Sequence, residues 1–309
     1  MAKPNIVVVG ASAGGVEALK KLAAGLPGDF PAAVFVVLHV GQGRDGQSML
    51  PDILNQVGPL PAMHPHDFDK IRPGRIYVAK PDFHMLVEDS HIRMTKGPKE
   101  NRTRPAINPL FRTAAQAYGK RVIGVILTGL LDDGVAGLAE VKRGGGVTVV
   151  QNPETALFPD MPASALEHVT VDHVTELKDL GPLLSALTGT DASKEDHVSA
   201  EETEPKTRTL TKMTCPECHG PIWVEHQGRI IEYRCRVGHA YSPLNFAQDT
   251  QAMLERSVWT AIIALEDAAE IAEEIGENGS AQQAGTHRGH AGELRSLLQR
   301  MLANQESTQ

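Results

Sequence analysis

The sequence predicts an α/β protein, a doubly wound and mostly parallel sheet of Rossmann-like kind, followed by a small zinc-ribbon-like module and a helical tail. Three observations predict this. From residue 5 to about 187, short β-branched runs alternate with segments of helical spacing, the pattern of strands covered by helices on both faces. The three cysteines all fall between residues 215 and 235. Beyond residue 247 the apolar positions recur at spacings of three and four, as on one face of a helix.

The elements follow in order. Residues 5–9 form a buried strand, and Val16, Leu19, Leu22 and Leu26 mark a helix over 13–26. A strand at 34–38, a helix at 47–57 and a strand at 75–79 come next. The runs 85–88 and 92–95 are split by Asp89-Ser90-His91 and read as an antiparallel hairpin. A helix at 109–118, a strand at 122–127, a helix at 135–143 and a strand at 147–150 complete the sheet domain, assigned to 1–189. Residues 190–210 are nearly devoid of large apolar groups and cannot bury enough surface to fold, so they read as a linker. Residues 211–246 form the cysteine module, with a hairpin of 222–224 and 229–233. The tail, 247–309, reads as a helix over 247–275, a Gly-rich polar break and a second helix over about 291–302.

A chain of 309 residues with 41% hydrophobic content suits one sizeable core plus smaller modules. Its net charge of −8 argues against general affinity for nucleic acid or anionic membrane. It contains no apolar run of about 18 residues, so no membrane insertion is expected, and its start carries no signal-peptide pattern; a cytoplasmic protein is expected.

Gly10, Ser12 and Gly14 satisfy G-x-S-x-G at a strand-to-helix turn, where small neighbours let the backbone turn sharply and expose the serine hydroxyl. A dinucleotide fingerprint would place glycine where Ser12 stands, while a Gly-rich turn serving only strand–helix packing remains an alternative. A nucleophilic serine needs a base and a group that orients the base. His39 follows the strand at 34–38, and Asp132 and Asp133 follow the strand at 122–127. In a parallel sheet all of them reach the same carboxyl edge as Ser12. Taken singly, His39 reads as a polar loop residue and Asp132-Asp133-Gly134 as a turn. The order Ser, His, Asp differs from that of α/β-hydrolases.

Around these residues the sequence resembles the catalytic domain of the chemotaxis protein-glutamate methylesterases, the CheB type. The resemblance runs through the Gly10–Gly15 turn, Val37-Leu38-His39, Arg72-Pro73-Gly74-Arg75-Ile76-Tyr77-Val78-Ala79, Asn101-Arg102-Thr103-Arg104-Pro105-Ala106-Ile107-Asn108-Pro109-Leu110-Phe111, Ile126-Leu127-Thr128-Gly129 with Asp132-Asp133-Gly134, and Asp160-Met161-Pro162-Ala163-Ser164-Ala165. It implies Ser12 as nucleophile, His39 as general base and Asp133 as orienting acid, with Asp132 at a variable position. It also implies hydrolysis of glutamate methyl esters on chemoreceptor-type helices, with glutamine deamidation in some members, and no cofactor for catalysis. The amides around Ala13 and Leu130 are the candidate oxyanion donors, although the family often has Thr and Met at those positions. His84 matches a position near the substrate cleft and reads as structural or substrate-positioning. Arg102 and Arg104 read as solvated residues, with contact to an acidic receptor surface as the alternative, and His64 and His66 read as solvated loop residues. Ser12 stands so near the start of the sequence that no receiver domain is expected before it, and control is expected through a separate receiver or signalling partner. A catalytically weak scaffold in a chemosensory-like pathway is the alternative.

In the module, Cys215-Pro216-Glu217-Cys218 and Cys235-Arg236-Val237-Gly238-His239 supply Cys215, Cys218, Cys235 and His239, a tetrahedral set suited to structural zinc. A redox C-x-x-C is the weaker reading. Arg229, Arg234 and Arg236 give the module a basic side, but the acidity of the whole chain favours docking to the catalytic domain or a signalling partner over nucleic acid. In the tail, Leu254, Val258, Ala261, Leu265, Ala268, Ala272 and Ile275 form an a/d seam. The seam awaits either the second helix, with Leu294, Leu297, Leu298 and Met301, or a second copy in a homodimer.

Overall fold

The first strand, β1 (Asn5–Ala11), carries Ile6 and Val8 into one core and Val7 and Val9 into another, all fully buried. A strand apolar on both sides must be covered on both sides, and the chain does so by winding in both directions from β1. In this computed structural model, which describes residues 5–39, 48–189, 205–276 and 280–306, β1 leads through α1 (Gly15–Gly25) to β2 (Ala32–Leu38). Next come α2 (Leu50–Val57), β3 (Ala62–Met63), β4 (Arg75–Val78) and the antiparallel hairpin of β5 (His84–Val87) and β6 (Ile92–Thr95). The second half adds α3 (Ile107–Tyr118), β7 (Val122–Ile126), α4 (Val135–Arg143), β8 (Val147–Gln151), α5 (Asp160–His168), β9 (His173–Thr175) and α6 (Leu177–Gly189).

The seven strands of the main sheet run in the order β3-β4-β2-β1-β7-β8-β9, every neighbouring pair parallel. The strand order reverses at β1, whose end is flanked by β2 through Ala11 and Leu38 and by β7 through Gly10 and Ile126. Such a reversal opens a crevice at the carboxyl edge. Leu19, Leu22, Leu54, Leu180 and Leu184 of α1, α2 and α6 cover one face, and Ile107, Phe111, Leu138, Met161 and Ala165 of α3, α4 and α5 cover the other. The short edge strands β3 and β9 and the helix α5 carry too few apolar residues in period to be read from the sequence, whereas α6, with Leu177, Leu180, Leu184 and Leu187 at helical spacing, was legible and went unread.

A four-stranded antiparallel sheet, β10 (Thr207–Thr214), β11 (Pro221–Gln227), β12 (Ile230–Cys235) and β13 (Ala240–Tyr241), makes the ribbon. It begins inside the segment expected as linker. Thr207 to Leu210 are polar in composition yet pair with Trp223 to His226, because an edge strand needs only backbone partners. The remainder of the expected linker, residues 190–204, lies outside the described residues. Ribbon and sheet domain form one compact unit that ends at Phe246.

The second unit is the tail. α7 (Pro243–Ile275) begins earlier than expected, and α8 (Ser280–Glu306) runs through the segment expected as a Gly-rich break. Gly285, Gly289 and Gly292 have open space around them, and the neighbouring Ala284 packs in a cluster with Ala269 and Ala272, so the tertiary contact carries the helix through its glycines. Ile262 forms a second cluster with Ala291 and Leu298, joined by Val258, Leu265 and Leu294. The buried line thus passes through Ile262 and Ala269 rather than Ala261 and Ala268, and Leu254 and Ile275 are exposed. The chain's own antiparallel fold-back buries the middle of the seam. Among the described residues no helix is long and apolar enough to cross a membrane.

Candidate active site

Ser12 leaves β1 at the sheet reversal, in a turn that Gly14 completes with φ 74° before α1 starts. Its amide donates to Thr128 O at 3.0 Å, which locks the turn to the end of β7. Thr128 supports the turn twice more: its Oγ1 donates to Ala13 O and accepts from the Phe158 amide, at 3.0 and 2.9 Å. The Thr128 amide is itself held by buried Gln151. At Gly129 the packing leaves no room for a side chain, since a Cβ there would lie 2.1 Å from Met161 Sδ and 2.8 Å from Ser12 Cβ.

His39 follows β2 directly, with its amide bonded to Ala11 O. Its Nδ1 lies 3.3 Å from Ser12 Oγ and its Nε2 2.9 Å from Asp133 Oδ2. With Nε2–H donating to the carboxylate, Nδ1 is left to accept the serine proton, which inverts the ring-nitrogen roles of the serine-protease arrangement. Asp133 is 3% exposed and fully engaged. Its Oδ2 also accepts from the Ile107 amide at 2.6 Å, and its Oδ1 from Asn101 Nδ2 at 2.9 Å. Burial alone would push the carboxyl up, but the bond to His39, the imidazolium charge and the Ile107 and Asn101 donors hold it below the usual carboxylate range. Thr103 Oγ1 sits 3.3 Å from His39 Nε2.

The Ala13 and Leu130 amides have no hydrogen-bond partner among the described residues and lie in the turns beside Ser12 and after Gly129. Leu131 follows with φ 63°, a rare conformation for a leucine. His84 is 3% exposed. Its Nε2 donates to Pro98 O and its Nδ1 accepts from the Ala106 amide, at 2.9 and 3.2 Å. Burial holds its imidazole neutral, so it ties two loops together and offers no ring nitrogen to a substrate. Two readings need correction. His64 bonds Val78 O and Ser48 O, and Arg104 grips Asp82 at 2.6 Å and Gly97 O at 2.7 Å; both brace loops rather than face solvent.

Asp132 points away from His39. Its Oδ1 accepts from Ser242 Oγ at 2.6 Å and from Asn245 Nδ2 at 2.7 Å. Sequence reasoning missed Asn101, Thr103, Thr128, Gln151, Ser242 and Asn245 in these roles. The Asn101–Pro105 and Thr128-Gly129 motifs were the available signal for Asn101, Thr103 and Thr128, and nothing local marks Gln151, Ser242 or Asn245.

In the ribbon, the ligand atoms of Cys215, Cys218, Cys235 and His239 all lie within 4.8 Å of one another. Cys218 Sγ is 3.7 Å from Cys235 Sγ, and His239 Nδ1 is 3.7 and 3.5 Å from Cys215 and Cys235 Sγ. These separations exclude a disulfide, which requires about 2.05 Å. The three short separations are close to the edges of about 3.8 Å of a tetrahedron whose metal–sulfur bonds are about 2.3 Å.

Comparison with known proteins places the sheet domain in a family. The CheB methylesterase family model matches residues 7–184. A Leptospira interrogans protein provisionally named a protein-glutamate methylesterase/protein-glutamine glutaminase is 38% identical over 182 residues, 59% of this chain and 93% of the relative. An Anaeromyxobacter dehalogenans protein-glutamate methylesterase/protein-glutamine glutaminase is 36% identical over 187 residues, 60% of this chain and 54% of the relative. The chain therefore spans nearly all of the first relative and about half of the second. The crystal structure of the Thermotoga maritima CheB methylesterase catalytic domain superposes with a TM-score of 0.57 at 32% identity, covering 60% of this chain and all of that one. The ribbon and tail lie outside the family match. By its sheet, its motifs and these likenesses, the chain belongs to the CheB methylesterase family.

Proposed function

We propose that this protein is a cytoplasmic serine esterase that removes methyl groups from glutamate side chains of chemoreceptor-type signalling helices, through Ser12, His39 and Asp133. The observation that carries this reading is the continuous relay Ser12 Oγ to His39 Nδ1 and His39 Nε2 to Asp133 Oδ2, at 3.3 and 2.9 Å. Ser12 attacks the ester carbonyl as its proton passes to His39 Nδ1, and the tetrahedral oxyanion is received by the Ala13 and Leu130 amides. The imidazolium, stabilised by Asp133, returns its proton to the departing methanol. Water then attacks the acyl-enzyme with the same base, releasing glutamate and Ser12. Glutamine deamidation is the same acyl transfer with ammonia as the leaving group, an activity carried in the relatives' names.

The contact of a buried carboxylate with an imidazole that in turn meets a serine favours the esterase over a catalytically weak scaffold. The experiment is methanol release from methylated receptor fragments by wild type and Ser12→Ala. Release by the wild type and its loss in the variant are expected; equal release, or none by either, would overturn the reading. We further assign structural zinc to Cys215, Cys218, Cys235 and His239, with no metal in the ester chemistry. One zinc per chain, with three thiols appearing on its removal, is the expected stoichiometry. Control by a separate receiver-type partner remains part of the proposal, with faster ester cleavage on mixing as its sign.

A further inference from the structure

The ribbon and the catalytic carboxylate are joined through one side chain. Asn101 Nδ2 donates to Asp133 Oδ1 at 2.9 Å, while Asn101 Oδ1 accepts from the Ser242 amide and the Asn101 amide donates to Ala240 O, both at 2.8 Å. Every one of these bonds is shielded, since Asn101 is only 4% exposed. The adjacent Asp132 is tied to the same edge of the ribbon by Ser242 and Asn245. Glu100, next in the loop, is bound by Arg112 of α3 at 2.6 Å and approached by Arg234 of β12 at 3.7 Å, and Lys99 pairs with Glu217 between the first two cysteines of the ribbon.

The loop held in this way is not one that relaxes into its own minimum. Asn101 and Arg102 have φ values of 47° and 68°, consecutive left-handed residues that persist only where surrounding contacts over-determine them. The same loop brings Thr103 Oγ1 to 3.3 Å from His39 Nε2. Its grip comes from Ala240 and Ser242, which directly follow His239, and the backbone there is drawn in by the Cys235 amide bonding His239 O at 3.0 Å. The ribbon's own apolar core is small, formed by Cys215, Ile222, Cys235, Tyr241 and Phe246. A module of that size depends on ligation to keep its shape.

We propose that the metal-holding ribbon is a positioning clamp for Asp133, acting through Asn101 and anchored by Asp132, so that ligation of Cys215, Cys218, Cys235 and His239 sets how firmly Asp133 orients His39. The proposal rests on the Ser12–His39–Asp133 reading above and adds to it a role for residues outside the family match. Asn101, Ser242 and Asn245 are positioning residues in this scheme. None of them touches the reacting atoms.

The test uses the full chain loaded with zinc, the same chain stripped by a chelator and verified by thiol titration, and the stripped chain given zinc again. Two quantities are read: the rate at which a serine-directed phosphonate labels Ser12, and hydrogen exchange across residues 97–104 and 238–245. Stripping is expected to slow labelling by about tenfold or more, the scale of a misplaced catalytic group. It should also speed exchange in both segments, and zinc should restore both. In loaded protein, Asn101→Ala should reproduce the slower labelling and make it insensitive to stripping, with the loss in methyl-ester hydrolysis falling on kcat rather than KM. Asp132→Ala should release the 238–245 segment to exchange, whereas Asp132→Asn, which keeps the acceptor oxygen, should retain protection. Metal-free protein that labels Ser12 at the loaded rate, or a folded Asn101→Ala that labels at the wild-type rate, overturns the clamp and leaves the esterase reading standing. Loaded wild type that fails to label at Ser12 overturns both.

Discussion

Asp132 and Asp133 are adjacent, chemically identical and buried, yet their surroundings drive them apart. Burial raises the Asp132 carboxyl and the neighbouring Asp133 charge adds to the rise, against the hydrogen bonds of Ser242 and Asn245. Asp133 suffers the same burial but is pulled below the ordinary range by His39, Ile107 and Asn101. The pH consequences have opposite sign. Asp133 contributes stability that is present above the unfolded carboxylate value of about 3.9 and is lost as pH falls through its lower folded value. Asp132 contributes stability that is present below about 3.9 and is lost as pH rises through its higher folded value. Asp132→Asn removes that loss, so in denaturant titrations from pH 4 to 7 the variant should gain on wild type as pH rises; a difference independent of pH would contradict the assignment. Asp133→Asn is expected to keep the fold but present the wrong partner to His39, lowering kcat by about 10⁴-fold as when a serine-protease aspartate is amidated. Steady-state ester hydrolysis by the purified variant measures it.

At the scale of elements, the site depends on backbones brought close rather than on long side chains. Gly129 lets the loop after β7 lie against Ser12 and Met161. Gly129→Ala should therefore cost about 1–3 kcal/mol by overpacking and slow Ser12 labelling as well, both read on one preparation by thermal melting and phosphonate kinetics. In the tail, Ala269, Ala272 and Ala284 let α7 and α8 approach. Ala284→Leu should open that end of the hairpin at a similar cost of about 1–3 kcal/mol, visible as an earlier helix melt in circular dichroism while Ser12 labelling is unchanged. The sequence marked β1, β2, β4, β7 and β8 to within a residue or two, because each is built on a short run dominated by β-branched and other apolar residues. It placed the start of α8 too late, because Gly285 and Gly289 argue against a helix locally and only packing of Ala284 outweighs them.

For the molecule as a whole, the ribbon's basic side is partly spent on the chain itself. Arg234 faces Glu100, Glu225 and Glu232, while Arg229 and Arg236 are exposed in a protein of net charge −8. The protein is accordingly expected to pass through a DNA column at low salt, where counterion release would retain a true nucleic-acid ribbon; retention that falls steeply with salt would show the opposite.

The sequence by itself determined which residues reach the carboxyl edge. Ser12, His39 and Asp133 each end a buried strand or follow one closely, and parallel strands deliver their ends to one side. It also singled out Cys215, Cys218, Cys235 and His239 as a candidate metal-ligand set by their knuckle spacing, and the fold brings their ligand atoms within 4.8 Å of one another. No periodicity separates Asp132 from Asp133, and it was the family resemblance that singled out Asp133 as the partner of His39; only the tertiary structure shows Asp132 turned instead to Ser242 and Asn245. It alone brought Asn101 between Asp133 and Ser242, residues 32 and 141 positions away along the chain. Contacts over such distances leave no trace in local composition.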